Sequence, residues 1–149
     1  MTATAVNDTI VQEIAIKASA ERIFDAFTDP RQRIQWWGSQ GLFQATHMES
    51  DLRPGGIWMM RGSGREGRPF TVRGEYLEVE RPRLLVFTWI RGGNEDPTES
   101  TVRVDLEETN GVTTVRLTHS RLVTEELRTR NSGWPLILSL LQAYIEQRS

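Results

Sequence analysis

The chain of 149 residues contains no cysteine. No disulfide can form, no thiolate can act as nucleophile, and no Cys-based zinc site can be built. Such a composition suits a reducing compartment. Histidine is nearly as scarce, with two residues, which leaves little material for a His-rich metal centre. Neither charge dominates, since 18 basic residues face 20 acidic ones. That balance argues against a nucleic-acid binder driven by phosphate neutralisation. Arg61, Arg65, Arg68 and Arg73 are interleaved with Glu66 and Glu75 and read as a solvated surface. No apolar run approaches the roughly 20 residues that span a bilayer, so no membrane insertion is expected. The start, MTATAVNDTIVQ, lacks the basic residues and apolar centre of a signal peptide. No repeat, low-complexity tract or Gly/Ser linker interrupts the chain. The expectation is a soluble, cytoplasmic protein with a loose N-terminus over residues 1–8 and one domain over residues 9–149.

What is present is mostly alternation. In TIVQEIAIKA (9–18), Ile10, Ile14 and Ile16 share a face with Gln12, the period of a half-buried strand. SAERIFDAFTDP follows with Ser19 as N-cap and an apolar stripe of Ile23, Phe24, Ala26 and Phe27. Asp29-Pro30 ends that helix, because a residue before proline is pushed out of the α region. A second short helix runs from Arg31 to Trp36 or Trp37 and stops near Gly38. Strand patterns then fill 44–50, 55–63, 70–80, 83–90, 100–108 and 113–120. Asn110-Gly111 is the strongest hairpin signal, and SGREGRP forms a glycine-rich loop between two strands. TEELRTR (124–130) reads as a turn of helix before the last one.

The last helix has Ser132 as candidate N-cap and Pro135 in its first turn. Trp134, Ile137, Leu138, Leu141 and Ile145 form one stripe, and Leu136, Leu140 and Tyr144 form a second beside it. So wide an apolar arc is embraced on more than one side. The order β, α, α, many strands, then a long α offers no parallel crossovers. The fold class is therefore α+β: a curved antiparallel sheet of six to seven strands gripping a long C-terminal helix, with two short helices after the first strand.

The motifs then carry a resemblance. IKASAERIFDAFTDP with QWWG behind it, DLRPGGIW (51–58), GEYLEVERPRLLVFTW (74–89), TVRVDLEE, TTVRLTHS and SGWPLILSLLQAYIEQ (132–147) stand in family order. Together the chain resembles the START-like (SRPBCC, helix-grip) superfamily, and within it the homologues of the activator of the heat-shock chaperone ATPase. The resemblance implies a cavity between sheet and helix. It also brings a range of functions: lipid and hormone carriers, cyclases and aromatases, and chaperone-activating domains. The matched motifs look architectural, and none carries over a catalytic set. Fold alone assigns no function.

The residues leave several chemistries to weigh. DLRPGG reads as a tight turn, in which Pro54 fixes φ and Gly55-Gly56 tolerate positive φ; glycines there would equally let backbone approach a ligand. His119 shares the inward face of Val115 and Leu117. It is either a satisfied core histidine or a general base, partnered by Tyr76 or Tyr144 as hydrogen-bond donor, in a cyclase- or hydrolase-like enzyme. His47, Glu49 and Asp51 would share a strand face, yet three such residues fall short of a usual metal site, so no metal and no cofactor are expected.

Binding of a small apolar or aromatic molecule is the leading reading, because aromatic concave surfaces with few polar groups make such pockets. Its candidate residues are Trp36, Trp37, Trp58, Met60, Phe70, Tyr76, Phe87, Trp89, His119, Trp134, Leu138 and Leu141. The alternatives are the His119 enzyme and a module that contacts a chaperone. The chain is expected as a monomer or a homodimer, with a sheet edge or the QWWG region as the dimer contact. Of the adjacent Trp36 and Trp37, one indole is expected inside the domain and the other at the cavity rim.

Overall fold

Ser19 Oγ accepts the backbone N–H of Arg22 and starts α1 (Ala20–Thr28). Asp29 then serves two helices. Its own N–H closes the end of α1 on Asp25, and its carboxylate accepts the Arg31 N–H at the start of α2 (Pro30–Trp36). Pro30 sits in the first turn of α2, where a missing N–H costs little. The computed structural model describes residues 5, 6, 8–39, 43–91 and 99–147.

Among the described residues, seven long strands and two of two residues each make one antiparallel sheet. They are β1 (Ala5–Val6), β2 (Thr9–Ile16), β3 (Gly38–Ser39), β4 (Phe43–Ser50), β5 (Ile57–Ser63), β6 (Pro69–Glu80), β7 (Leu84–Arg91), β8 (Ser100–Thr109) and β9 (Val112–Ser120). Their spatial order is β1-β2-β9-β8-β7-β6-β5-β4-β3. The expected α+β layout is observed, with the two short helices after β2. Within the N-terminal segment, Ala5 and Val6 pair with Ile10 and Thr9.

Alternation decides which face turns inward. Val102, Val104 and Leu106 on β8 and Val115, Leu117 and His119 on β9 are buried, while Arg103 and Arg116 are exposed. Asn110 (φ 53°) and Gly111 (φ 79°) close this hairpin in the left-handed region that such a turn requires. In DLRPGG, Gly55 has φ 84°, and a Cβ on Gly56 would overlap the Asp51 carbonyl oxygen. Arg53 closes the same bend on Asp51 at 2.8 Å. These glycines hold a turn, and none of them lines a cavity described below.

The curled sheet closes on α4 (Trp134–Gln147), preceded by α3 (Glu125–Arg130). Trp134, Ile137, Leu138, Leu141 and Ile145 are buried against the inner face, and the second stripe of Leu136, Leu140 and Tyr144 is half-buried. Gln142 Nε2 donates to the Ala15 carbonyl at 3.0 Å and fixes the helix against β2. Ser132 does not cap this helix as expected. Its hydroxyl donates to the Thr129 carbonyl at 2.7 Å, so it finishes α3 instead. No helix among the described residues is long and apolar enough to cross a membrane.

Candidate functional site

All five tryptophans of the chain form one connected array. Trp37 stacks against Trp36 (5.4 Å between ring centroids), Trp89 (6.1 Å) and the edge of Trp134 (6.0 Å). Trp89 in turn meets Trp58 and Trp134, at 5.5 and 5.4 Å. Tilted and edge-on ring pairs of this kind contribute roughly 0.5–1.5 kcal/mol each beyond their burial.

Both members of the Trp36–Trp37 pair are buried, with 3 % and 6 % of their surface exposed. Neither indole is exposed at a rim, yet the pair still divides, since Trp37 lines the cavity described below and Trp36 does not. Trp36 is the last residue of α2, and Trp37 leaves the helix with ψ 77°, so the 100° helical step no longer separates the rings. Trp36 Nε1 donates to the Ala26 carbonyl at 2.8 Å, pinning α2 to α1. With both rings inside, neither indole is available as a dimer contact.

A cavity of about 600 Å³ opens at the end of the grip where β6 begins, β7 ends and α4 starts. Trp37, Phe70, Trp89 and Trp134 supply its aromatic wall, and Phe43, Val72 and Ile137 add apolar surface. Four of the expected ligand-binding residues thus meet here. The other eight, Trp36, Trp58, Met60, Tyr76, Phe87, His119, Leu138 and Leu141, are buried outside its lining. Sequence reasoning missed Arg68, Arg91 and Asn131, which also line it. For Arg91 the signal was period 2, since it shares parity with Trp89.

His119 lies fully buried beside this wall. Trp134 Nε1, a donor only, gives its proton to His119 Nδ1 at 3.0 Å. The ring's own proton is therefore on Nε2, which donates to Ser100 Oγ at 2.7 Å, and the Ser100 hydroxyl donates in turn to the Trp89 carbonyl at 3.2 Å. Burial, with a smaller contribution from the Arg91 charge, lowers the His119 pKa to about 3. Both nitrogens are occupied and the ring stays neutral. The Tyr76 hydroxyl pairs elsewhere, with Ser50 Oγ at 2.6 Å, and Tyr144 donates to Gln32 at 3.2 Å.

Arg33 is a second buried polar group that the sequence reading passed over. Only 2 % of it is exposed. Its guanidinium carbon lies 4.4 Å from the Trp37 ring centroid, 4.6 Å from Phe27 and 5.7 Å from Trp58. Nη1 donates to the Phe27 carbonyl at 3.1 Å, in the last turn of α1, where a cation also suits the helix dipole. Nε and Nη2 have no acceptor among the described residues. Desolvation lowers its pKa to about 10. Its spacing, one turn before Trp36 and Trp37, places it on their face.

A second cleft of about 410 Å³ lies beside the α1–α2 junction, lined by Asp25, Asp29, Gln32, Ser50 and Arg81 among others. Asp25 and Arg81 form an ion pair across it. Its walls are polar and unlike the apolar site expected. His47 meets Glu49 at 3.1 Å, and Asp51 is engaged by Arg53. Among the described residues no group of three or more His, Asp or Glu side chains is arranged to hold a metal ion.

Solved structures share this architecture. A Chromobacterium violaceum protein is 23 % identical, covering 95 % of this chain and 99 % of its own, with a TM-score of 0.81. An Arthrobacter aurescens protein is 18 % identical over 99 % of this chain and 91 % of its own, at 0.82. A Rhodobacter sphaeroides protein is 19 % identical over 99 % and 96 %, at 0.80. Identities this low establish the fold alone. No match was found among curated proteins. Residues 17–146 match the family described as Activator of Hsp90 ATPase homolog 1-like protein.

Proposed function

For a chain that belongs to the Activator of Hsp90 ATPase homolog 1-like family, we propose that this one binds a small apolar or aromatic molecule without transforming it. The observation that carries this reading is the cavity of about 600 Å³ walled by Trp37, Phe70, Trp89 and Trp134. Its volume falls inside the roughly 300–1,000 Å³ of small-molecule sites, and so does its mix of apolar wall with a few polar groups. Rings held in place by their neighbours lose little freedom when a ligand arrives, which favours binding. The proposal takes the protein to act in the cytoplasm.

A cyclase- or hydrolase-like reaction through His119 is the weaker reading. A general base needs a free lone pair within reach of substrate, and here Nδ1 is held by Trp134 and Nε2 by Ser100. A chaperone contact rests on the family's description, and the cavity neither requires nor opposes it.

The test is titration with naphthalene and with decanol, followed by intrinsic tryptophan fluorescence. Saturable one-to-one binding is expected, and it should be weakened when Leu136→Trp adds a large ring to the lining. Leu136 is a half-buried member of the lining on α4, so that variant is expected to fold. Absence of saturable binding by both probes overturns the proposal.

A further inference from the structure

The buried side-chain polar atoms that lack a hydrogen-bond partner among the described residues are Arg33 Nε and Nη2, Trp58 Nε1 and Trp89 Nε1. All of them are N–H donors, so what this part of the interior lacks is an acceptor. They also lie close together. The Arg33 guanidinium carbon is 5.7 Å from the Trp58 ring centroid, and Trp58 stacks on Trp89 at 5.5 Å. A dry, unpaired donor is an unfavourable state that native proteins usually avoid. Of these three side chains, only Trp89 also lines the cavity of about 600 Å³. Its neighbour in the wall, Trp134, at 5.4 Å, makes the contrast: the Trp134 N–H is already engaged by His119 Nδ1.

From this arrangement we infer that the cavity takes an apolar ring system bearing a carbonyl-type oxygen, as in a ketone, ester or quinone, and that this oxygen accepts the Trp89 indole N–H. The inference rests on the cavity being a small-molecule site, as proposed above. A carbonyl oxygen meets the need because it accepts and brings no further donor with it. It is neutral, so no bare charge enters the aromatic wall. Trp89 Nε1 is covered from water. The oxygen therefore reaches it by a tilt of the ring, and the bond forms where water does not compete. A hydrocarbon of the same shape would leave the donor unpaired, and a site of this kind discriminates against such an analogue.

Two probes of one shape, 1-tetralone and tetralin, differ only by a C=O in place of a CH₂. Each is titrated by calorimetry into the full chain and into Trp89→Phe. The lost ring area of that variant falls on both probes, so the ratio of their losses isolates the N–H. Tetralone is expected to lose about fivefold more affinity than tetralin. In the ¹⁵N-labelled wild type, the Trp89 indole proton should move downfield with tetralone and not with tetralin. That measurement reads the same bond if Trp89→Phe does not fold. If neither probe binds the wild type, the small-molecule reading itself fails. If both bind but the variant weakens them alike, or the Trp89 proton responds alike to both, the cavity stands and the carbonyl contact is overturned. If tetralone shifts the Trp58 indole proton instead, the assignment to Trp89 is overturned.

Discussion

The indole N–H of Trp134 donates to Nδ1 of His119 across 3.0 Å, and this one bond fixes the histidine's tautomer. Because an indole nitrogen only donates, Nδ1 must accept, and the proton must sit on Nε2 facing Ser100. The first turn of α4 is thereby tied to β9 and, through Ser100 and the Trp89 carbonyl, to β7 and β8. That chain sets one side of the cavity, since Trp89 and Trp134 both belong to its wall.

A pH dependence follows from the same chain. The folded state holds His119 neutral with a pKa of about 3, against an ordinary value of 6.5. Above pH 6.5 neither folded nor unfolded chain binds this proton, and the stabilisation is fully present. Between 6.5 and 3 the unfolded chain takes up the proton and the folded chain does not, so stability falls as pH falls. At pH 5 the loss amounts to about 2 kcal/mol. Urea unfolding at pH 7 and pH 5 measures it. The drop is expected to be smaller by about that amount in His119→Gln. Independently, the His119 ring resonances should not titrate between pH 8 and pH 5.

Trp36 and Trp37 are expected to separate by role. Trp36→Phe removes the bond to the Ala26 carbonyl and should cost about 1 kcal/mol of stability. Since Trp36 does not line the cavity, naphthalene affinity should be unchanged. Trp37→Ala opens the wall itself and should weaken naphthalene at least about tenfold, the loss of one large ring contact. Thermal unfolding and fluorescence titration of the two variants, side by side, provide the check.

Much of this was legible in the residues because burial on a sheet is written with period 2. Val102, Val104 and Leu106, and Val115, Leu117 and His119, turned inward as their alternation requires. Ser19, Asp29-Pro30 and Asn110-Gly111 fixed ends and turns through local chemistry that needs no tertiary context. The QWWG pair was not legible, because its outcome depends on where the helix stops, and Trp37 leaves it by one dihedral. Arg33 was missed for the opposite reason. Arginine is normally solvated, and only the assembled rings of Phe27, Trp37 and Trp58 make a place for it inside. Arg68 is exposed, as its chain neighbours suggest, and only the folded sheet shows that it also lines the cavity from just before β6.

Arg33 offers a measurement of packing against charge. Arg33→Ala leaves a void among three aromatic rings and frees the Phe27 carbonyl. The expected loss is about 2–4 kcal/mol. Arg33→Met also loses the carbonyl contact but fills the space and removes a buried charge whose Nε and Nη2 lack acceptors among the described residues. Burying a charge without full pairing is costly, so Arg33→Met should be clearly more stable than Arg33→Ala. Denaturant midpoints of both variants decide the point. A Met variant below the Ala variant would mean that the cation, rather than its volume, holds α2 in place.

The narrowest tolerance is at Gly74. β6 and β7 shift register between Tyr76 and Glu78, and beside Gly74 the Glu75 N–H donates to Thr88 Oγ1 at 2.8 Å. A Cβ on Gly74 would overlap the Thr88 carbonyl oxygen and stand 2.8 Å from Trp58 Nε1. Backbone cannot yield as a side-chain tip can, so Gly74→Ala must push β6 from β7 or displace the Trp58 ring. The cost should be at least about 2 kcal/mol. Because Trp58 stacks on Trp89 at 5.5 Å, the strain should also reach the cavity wall. Near-ultraviolet circular dichroism of Gly74→Ala should therefore lose part of the tryptophan signal. Gly67→Ala is the control for added bulk. It lies outside the sheet, in open space at φ 73°, so it should show only a backbone penalty, with the aromatic signal intact.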